Sequence, residues 1–242
     1  MNYYILTDIE GTTTDIDFVH TTLFPYSLER IAEFVTRHHK SQPEIQSALE
    51  LVEKTLNEES KISSPELKDC IKALETWIRE DRKHPGLKLI QGHIWKSGYM
   101  DGDFQGHVYD DVRPMLEKWR ESGYHLGVYS SGSVQAQKLL FSHSSAGDLT
   151  SLFAAYFDTA IGHKRETKSY KNIALNLQVS DPKQVIFLSD IEEELAAAEQ
   201  AGMNTILLDR NGLSEAASNR FIAKDFYGVD QLISQVIWPH TD

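Results

Sequence analysis

The sequence predicts an α/β protein, a doubly wound parallel (Rossmann-like) sheet with an inserted α-helical cap. Three observations predict it. After about residue 107, short apolar strands alternate with helices, the pattern of βαβ units. One of these strands, Val185-Ile186-Phe187-Leu188, is uninterruptedly apolar, as strands covered on both faces are. Tyr3 to Thr7 shares that character but is separated from the rest by a long stretch of helical periodicity. The expected organisation is a discontinuous core of residues 1–15 and 106–242, with residues 16–105 as the cap.

Taken in order, residues 3–7 read as a buried central strand, with Gly11 as the breaker that ends it. Pro25 opens a helix through Leu28, Ile31, Ala32, Phe34 and Val35. Pro43 and Pro65 each stand where first-turn prolines are favoured. Behind them Ile45, Leu49 and Val52, then Leu67, Ile71, Leu74 and Ile78, recur at helical spacing. His84-Pro85-Gly86 breaks the second run, an amphipathic stretch follows over 87–99, and Asp101-Gly102-Asp103 reads as a turn. A helix is expected over 111–122, capped by Asp111 and stopped near Gly123. Strands follow over 126–129, 155–157, 185–188 and 205–208. Helices are expected over 133–141, 166–176, 192–201 and 229–236, the third of them stopped by Gly202.

A chain of 242 residues holds one large domain or a body with an inserted subdomain. Hydrophobic residues make up 40%, enough for a core, and the scattered Gly and Pro do not describe a disordered chain. The net charge of −12 argues against nucleic acid and anionic membranes as partners. It does not exclude an anionic small substrate, because the field at a site can oppose the global charge. No run of about 18 apolar residues is present, so no membrane span is expected. The N-terminus lacks the basic start and apolar run of a secretory signal. The single cysteine, Cys70, has no disulfide partner within the chain and no ligand-spaced neighbour, which makes it core filler. A cytoplasmic monomer acting on a small molecule is the expectation.

Three strand ends carry polar groups. The first carries Asp8 and Glu10, the second Ser130 and Ser131, and the third Asp190. Ligands of open parallel sheets bind at the carboxyl ends of strands, and three such ends converging is far more specific than one. Two acids closing a buried strand are costly unless a cation or a reaction uses them. Ser130 and Ser131 stand at a strand exit, where hydroxyls and N–H groups hold phosphate, whereas Ser133 reads as a helix N-cap. Glu192, Glu193 and Glu194 read as a solvated, dipole-favoured first turn. Two or three acids around one site need a cation, and Lys164, after the short strand near Phe157, could supply it and also bind a phosphate oxygen, the other reading being a surface lysine in a loop. Lys168 and Lys171 read as solvated. Hard oxygen ligands in this number suit magnesium (Mg2+).

In chain order this is Asp-x-Glu, Ser, Lys, Asp, which resembles the haloacid dehalogenase-like phosphohydrolase superfamily. Its members usually carry Asp-x-Asp at the first motif. The glutamate here, in Asp8-Ile9-Glu10-Gly11-Thr12-Thr13-Thr14 with Leu23-Phe24-Pro25-Tyr26 downstream, is similar to a narrower family. That family is the enolase-phosphatases of methionine salvage, also called acireductone synthases. The resemblance extends through Gln91-Gly92-His93-Ile94-Trp95, Tyr129-Ser130-Ser131-Gly132-Ser133-Val134 and Gln137-Lys138-Leu139-Leu140-Phe141. It continues in Phe157-Asp158-Thr159, Ile161-Gly162-His163-Lys164 and Phe187-Leu188-Ser189-Asp190. Only residues around 40–80 carry no family signature, and Asp15 stands where the family pattern has proline.

The resemblance implies a magnesium-dependent, bifunctional reaction. The substrate, 2,3-diketo-5-methylthiopentyl 1-phosphate, is first enolised, then hydrolysed to phosphate and the acireductone 1,2-dihydroxy-3-keto-5-methylthiopentene. Asp8 would attack phosphorus to form an aspartyl phosphate, with the metal held by Asp8, Asp190 and the Glu10 carbonyl. Lys164 and the serines would hold the phosphoryl oxygens, and Glu10 would act as general acid, then base. The enolisation base stays open between Glu10 and a group of the helical block such as His93, which reads more simply as a packed helix residue. The cap would close over the site, with Phe18, Trp95 and Tyr99 either meeting the methylthio tail or filling the cap core. The runner-up is a phosphatase of the same superfamily for another small phosphate ester. A non-catalytic scaffold is opposed by the joint presence of Asp8, Glu10, Ser130, Lys164 and Asp190.

Overall fold

The structure is a computed structural model and describes residues 2–60, 63–212 and 220–238. It divides into two compact units, one of Met1–Ile16 with Gly106–Asp242 and one of Asp17–Gln105. The elements in chain order are β1 (Tyr4–Thr7), α1 (Ile16–Phe18), α2 (Phe24–His38), α3 (Pro43–Ser60), α4 (Leu67–Arg79) and α5 (Pro85–Asp101). There follow α6 (Val112–Glu121), β2 (His125–Tyr129), α7 (Val134–Ser142), β3 (Phe153–Phe157), α8 (Thr167–Asn176) and β4 (Val185–Ser189). The last are α9 (Glu192–Gln200), β5 (Asn204–Leu208), β6 (Phe221–Ala223) and α10 (Phe226–Leu232).

The first unit is built on a six-stranded sheet in the order β3-β2-β1-β4-β5-β6. Every neighbouring pair is parallel. β1 lies inside the sheet, with Tyr4–Thr7 facing His125–Val128 on one side and Val185–Leu188 on the other. The α/β doubly wound fold that the strand–helix alternation predicts is therefore the fold observed. Leu6, Val185, Phe187 and Leu207 share one buried layer with residues of α8 and α9, such as Ile173 and Leu195. Ile5, Ile186 and Leu188 alternate with them along the strands and are equally buried. On α6 and α10, Trp119 and Phe226 pack with ring centroids 5.1 Å apart. Helices on both faces explain why β4 is apolar at consecutive positions.

The second unit gathers α2 to α5 around Ile31, Val35, Leu49, Val52, Leu74 and Ile78, the residues whose helical spacing is legible in the sequence. Cys70 lies in this core, fully buried. α5 begins close against α3: a Cβ on Gly86 would lie 2.5 Å from the Ala48 carbonyl oxygen, so only glycine fits there. Among the described residues, no helix is long and apolar enough to cross a membrane.

Some local expectations are corrected. Pro65 lies before the N-cap of α4 rather than in its first turn. Glu66 takes the cap position, in a reciprocal capping box with Asp69. The helical block begins earlier than Phe24, in α1 and a π-helical turn at Val19–Leu23. Thr21, a poor helix former, donates its hydroxyl to the Asp17 carbonyl there (2.6 Å). Asp111 stands at the N-cap of α6 but makes no side-chain cap. Its carboxylate is taken by Arg210 and by the Phe226 N–H. The closing helix starts at Phe226, capped by Asp225 onto Gly228 N–H (2.7 Å), and continues as a π-helical turn at Ile233–Ile237. β6 has no counterpart among the expected strands, because its three residues are too short to show a period.

Candidate active site

The chain leaves β1, builds β2 and β3 outward on one side, then returns to β4 on the other. The strand order therefore reverses beside β1, the place where open parallel sheets open a crevice at their carboxyl ends. Asp8 follows β1 directly and is almost fully buried. Its N–H donates to the Leu188 carbonyl (2.9 Å), so the backbone stays locked to β4 as it exits the sheet. The Ile9 N–H donates to Asp8 Oδ1 (2.8 Å), which orients the carboxylate.

Lys164 Nζ stands 2.6 Å from Asp8 Oδ1 and 2.6 Å from Glu194 Oε2. The lysine is 4% exposed. Its backbone is held as well: the Tyr170 hydroxyl donates to the Lys164 carbonyl (2.7 Å) and the Tyr129 hydroxyl to the Gly162 carbonyl (2.9 Å). Ser189 Oγ donates towards Glu194 Oε2 (3.1 Å) and more weakly towards Asp8 Oδ2 (3.4 Å), while accepting the Ile191 N–H (3.1 Å). Burial works against the Lys164 charge, but Asp8 and Glu194 outweigh it and hold the ammonium above the ordinary lysine value. Burial and then Asp8 push the Glu194 carboxyl up to about 7, with Lys164 pulling the other way. Two acids thus share one buried cation.

Glu194 is the residue that sequence reasoning misses. Read as part of a solvated first turn, it is buried, while Glu192 and Glu193 are exposed as expected. A signal for it exists: Glu194 shares a helical face with Ala197 and Ala198, at the three- and four-residue spacings that point inward.

Asp190 leaves β4 and leans over Gly11. A Cβ at Gly11 would lie 2.1 Å from Asp190 Oδ2, and Gly11 has φ +72°, so the turn after β1 needs glycine for both space and conformation. Burial, followed by the charges of Asp8 and Glu10, pushes the Asp190 carboxyl up to about 6. Asp190 Oδ1 is buried and makes no hydrogen bond to the described residues. A buried carboxylate oxygen without a donor, near a second carboxylate, fits a hard divalent cation. Among the described residues, no three His, Cys, Asp or Glu side chains gather as a ligand cluster. An ion here would be completed by backbone carbonyl and water, which is the habit of magnesium rather than zinc.

Glu10 is half-buried and pairs with Thr14 across the turn that follows β1. Ser130 is buried at the exit of β2, which pairs with β1 in the register Thr7↔Val128, and so belongs to the same sheet edge as Asp8. Its N–H donates to the Phe157 carbonyl (3.2 Å), and its Oγ accepts the Gly132 N–H (3.2 Å). Ser131 is half-buried beside it. Ser133 caps α7 by accepting the Ala136 N–H (3.3 Å), as its position suggests. Gln137 Nε2 donates to the Gly132 (2.9 Å) and Phe157 (2.8 Å) carbonyls and so ties the serine loop to β3. Lys168 is exposed. In the helical unit, His93 Nε2 lies 2.9 Å from Glu44 Oε2, Trp95 Nε1 donates to the Leu23 carbonyl (2.8 Å), and Tyr99 packs edge-on to Phe104 (4.6 Å). Phe18 also meets Phe104 edge-on, at 6.5 Å.

A family model of haloacid dehalogenase-like hydrolases matches residues 4–202. The chain is 50% identical to "Enolase-phosphatase E1" of Citrobacter koseri over 234 residues, which cover 95% of this chain and 98% of that protein. It is 48% identical to the protein of the same name from Marinobacter nauticus over 233 residues, 95% and 97% of the two chains. Among solved structures, the UTR4 protein of Saccharomyces cerevisiae superposes with a TM-score of 0.72 at 32% identity, covering 93% of this chain and 99% of that one. The L-2-haloacid dehalogenase of Xanthobacter autotrophicus, with a TM-score of 0.59 and 15% identity over 98% and 100% of the chains, shares the fold alone.

Proposed function

The chain belongs to the haloacid dehalogenase-like hydrolases and, within them, to the enolase-phosphatases, and from that premise we propose its reaction and the residues that carry it. The substrate is 2,3-diketo-5-methylthiopentyl 1-phosphate and the products are acireductone and phosphate, a step of methionine salvage. One observation carries the reading of the residues. A buried carboxylate at the end of the central strand is held by a buried lysine, while the neighbouring Asp190 keeps an oxygen that no described group satisfies.

In the first half-reaction a base removes a proton from the carbon between the phosphate ester and the adjacent carbonyl. Glu10 is the candidate for that role. In the second, Asp8 attacks phosphorus as the bond to the leaving oxygen breaks, and Glu10 gives that oxygen its proton. Glu10, now ionised, takes a proton from the water that attacks the acyl phosphate, which returns Asp8 and releases phosphate. Glu10 then loses that proton to solvent, and the enolate oxygen formed in the first half-reaction takes one up, so the cycle closes. Lys164 offsets the negative charge that Asp8 and the phosphoryl group bring together, and Ser130 and Ser131 donate to the phosphoryl oxygens. Magnesium, held by the Asp8 and Asp190 carboxylates and the Glu10 carbonyl, would supply the positive charge that lets a carboxylate approach a phosphoryl group. We read the protein as a cytoplasmic monomer with a small-molecule substrate and no nucleic-acid or membrane partner.

The test is turnover. With magnesium, the chain should release phosphate from the diketone phosphate and form the ultraviolet-absorbing acireductone. It should prefer that substrate by orders of magnitude over phosphoglycolate and sugar phosphates. Comparable rates across the panel would instead favour a phosphatase for another small ester.

Metal binding should depend on pH. In the metal-free protein, Asp190 has its carboxyl raised from 3.8 to about 6. Its contribution to stability is therefore whole below about pH 3.8 and lost as pH rises through about 6. The cation takes only the carboxylate, so its stabilisation follows the opposite course. Saturating magnesium should raise Tm by about a few degrees at pH 7.5 and by little at pH 5. Asp190→Asn should erase the difference. An equal gain at both pH values in the wild type would remove Asp190 from the metal site.

A further inference from the structure

The turn after β1 is closed by its own backbone. The N–H groups of Thr12, Thr13 and Thr14 all donate to the Ile9 carbonyl (3.2, 2.9 and 2.9 Å), and the Gly11 N–H donates to the Thr14 carbonyl (2.8 Å). Asp8 and Glu10 stand at the head of this turn. The bonds satisfy its amides but leave the Thr12 and Thr13 carbonyls to be held from outside.

They are held by residues remote in sequence. Arg210, beyond the end of β5, donates from Nε (3.0 Å) and Nη2 (2.7 Å) to the Thr12 carbonyl. Its Nη1 donates to both oxygens of Asp111 (2.8 and 2.9 Å). The two side chains are each 9% exposed. The guanidinium lies 4.1 Å from the centroid of the Tyr109 ring, and the Tyr109 N–H donates to the Thr13 carbonyl (3.1 Å). Asp111 is pinned in turn by the Phe226 N–H (2.6 Å) at the start of α10. On the far side of the turn, the Thr14 hydroxyl donates to the His107 carbonyl (2.8 Å).

A buried Arg–Asp pair often does no more than close a fold. Here half of the guanidinium's bonds go to a backbone carbonyl inside the turn that bears Asp8 and Glu10, and the aspartate orients the fork rather than absorbing it. We propose that Arg210 is a positioning residue for phosphoryl transfer: by holding the Thr12 carbonyl it sets the turn, and with it Asp8 and Glu10. The proposal rests on the roles given above to those two acids. A planar fork suits the task, because its rigidly spaced N–H groups give two bonds to the carbonyl and two to the carboxylate, more than the three donors of an ammonium on a flexible stem supply. A displacement of about 1 Å at the reacting groups costs about a hundredfold in rate.

The test compares Arg210→Ala and Arg210→Lys with the wild type. In the alanine variant, kcat for phosphate release should fall by about ten- to a hundredfold. KM should stay within about threefold, because substrate binding is untouched. The lysine variant should lie between, and guanidinium ion at millimolar concentration should restore part of the alanine variant's rate. Hydrogen exchange supplies a readout that needs no substrate: the amides of Gly11 to Thr14 should exchange faster while those of β1 and β4 stay protected. A folded alanine variant with wild-type kcat and undisturbed turn amides would overturn the proposal and leave Arg210 as a fold-closing ion pair. If the alanine variant does not fold, the lysine variant decides between the same two outcomes. If the wild type itself does not turn over the diketone phosphate, the functional reading fails, and the exchange data still decide the role of Arg210.

Discussion

Asp8→Asn should abolish phosphate release, with a loss of about six orders of magnitude, the scale of removing an enzyme's nucleophile. The substitution preserves shape but not chemistry. An amide does not attack phosphorus, and its NH2 group would compete for a place where Lys164 and the Ile9 N–H both already donate. The fold should survive. Removing the Asp8 charge takes away one cause of the raised Glu194 carboxyl and leaves Lys164 paired with that residue. Circular dichroism and Tm close to wild type are therefore expected alongside the lost activity. Labelled phosphate trapped by acid during wild-type turnover should sit on Asp8. Label on a serine or histidine would sink the assignment, as would substantial phosphate release by a folded Asn variant.

Lys164→Ala should be the most damaging change to fold and activity together. It leaves Asp8 and Glu194 buried in one pocket without their shared cation. Breaking a buried pair in this way costs about 3–5 kcal/mol, and one of the two acids should then keep its proton near neutrality. The sign of the pH effect follows. Carboxyls raised above their ordinary value favour folding below that value and withdraw the contribution as pH rises through the raised one. The variant should therefore lose stability between pH 5 and 8 more steeply than the wild type, in which Glu194 already stands at about 7. Phosphate release should fall by about three orders of magnitude, the usual worth of a charge that stabilises a transition state. Lys168→Ala, on an exposed face of α8, should be close to neutral. If the two variants behave alike, Lys164 has no place in the site.

Much of the molecule is legible in its sequence. Val185–Leu188 announces a strand covered on both faces, and β4 is that strand. Asp8 and Asp190 stand out because each ends an apolar run, which places a carboxylate at a sheet edge whatever the packing around it. Ser133 reads as a cap and is one, because capping is decided within four residues. Charge balance asks for a cation at the site, and the place after β3 offers Lys164, which does meet Asp8.

The misreadings share one cause. Asp111 looks like an N-cap by position, yet its carboxylate serves Arg210, distant along the chain. Glu194 looks like part of a solvated turn, yet from α9 it shares the cation with Asp8, at the end of β1. Arg210 carries no sequence signal at all, because its partners are a backbone carbonyl and an aspartate on two other segments. What the sequence by itself determined were the features that local periodicity and strand ends dictate: the fold class, the helical faces and the acids at the sheet edge. Tertiary structure alone decided which charges are buried together. The energy of a buried ion depends on its neighbours in space, and in a sheet whose central strand is joined by chain segments far apart, those neighbours are not neighbours in sequence.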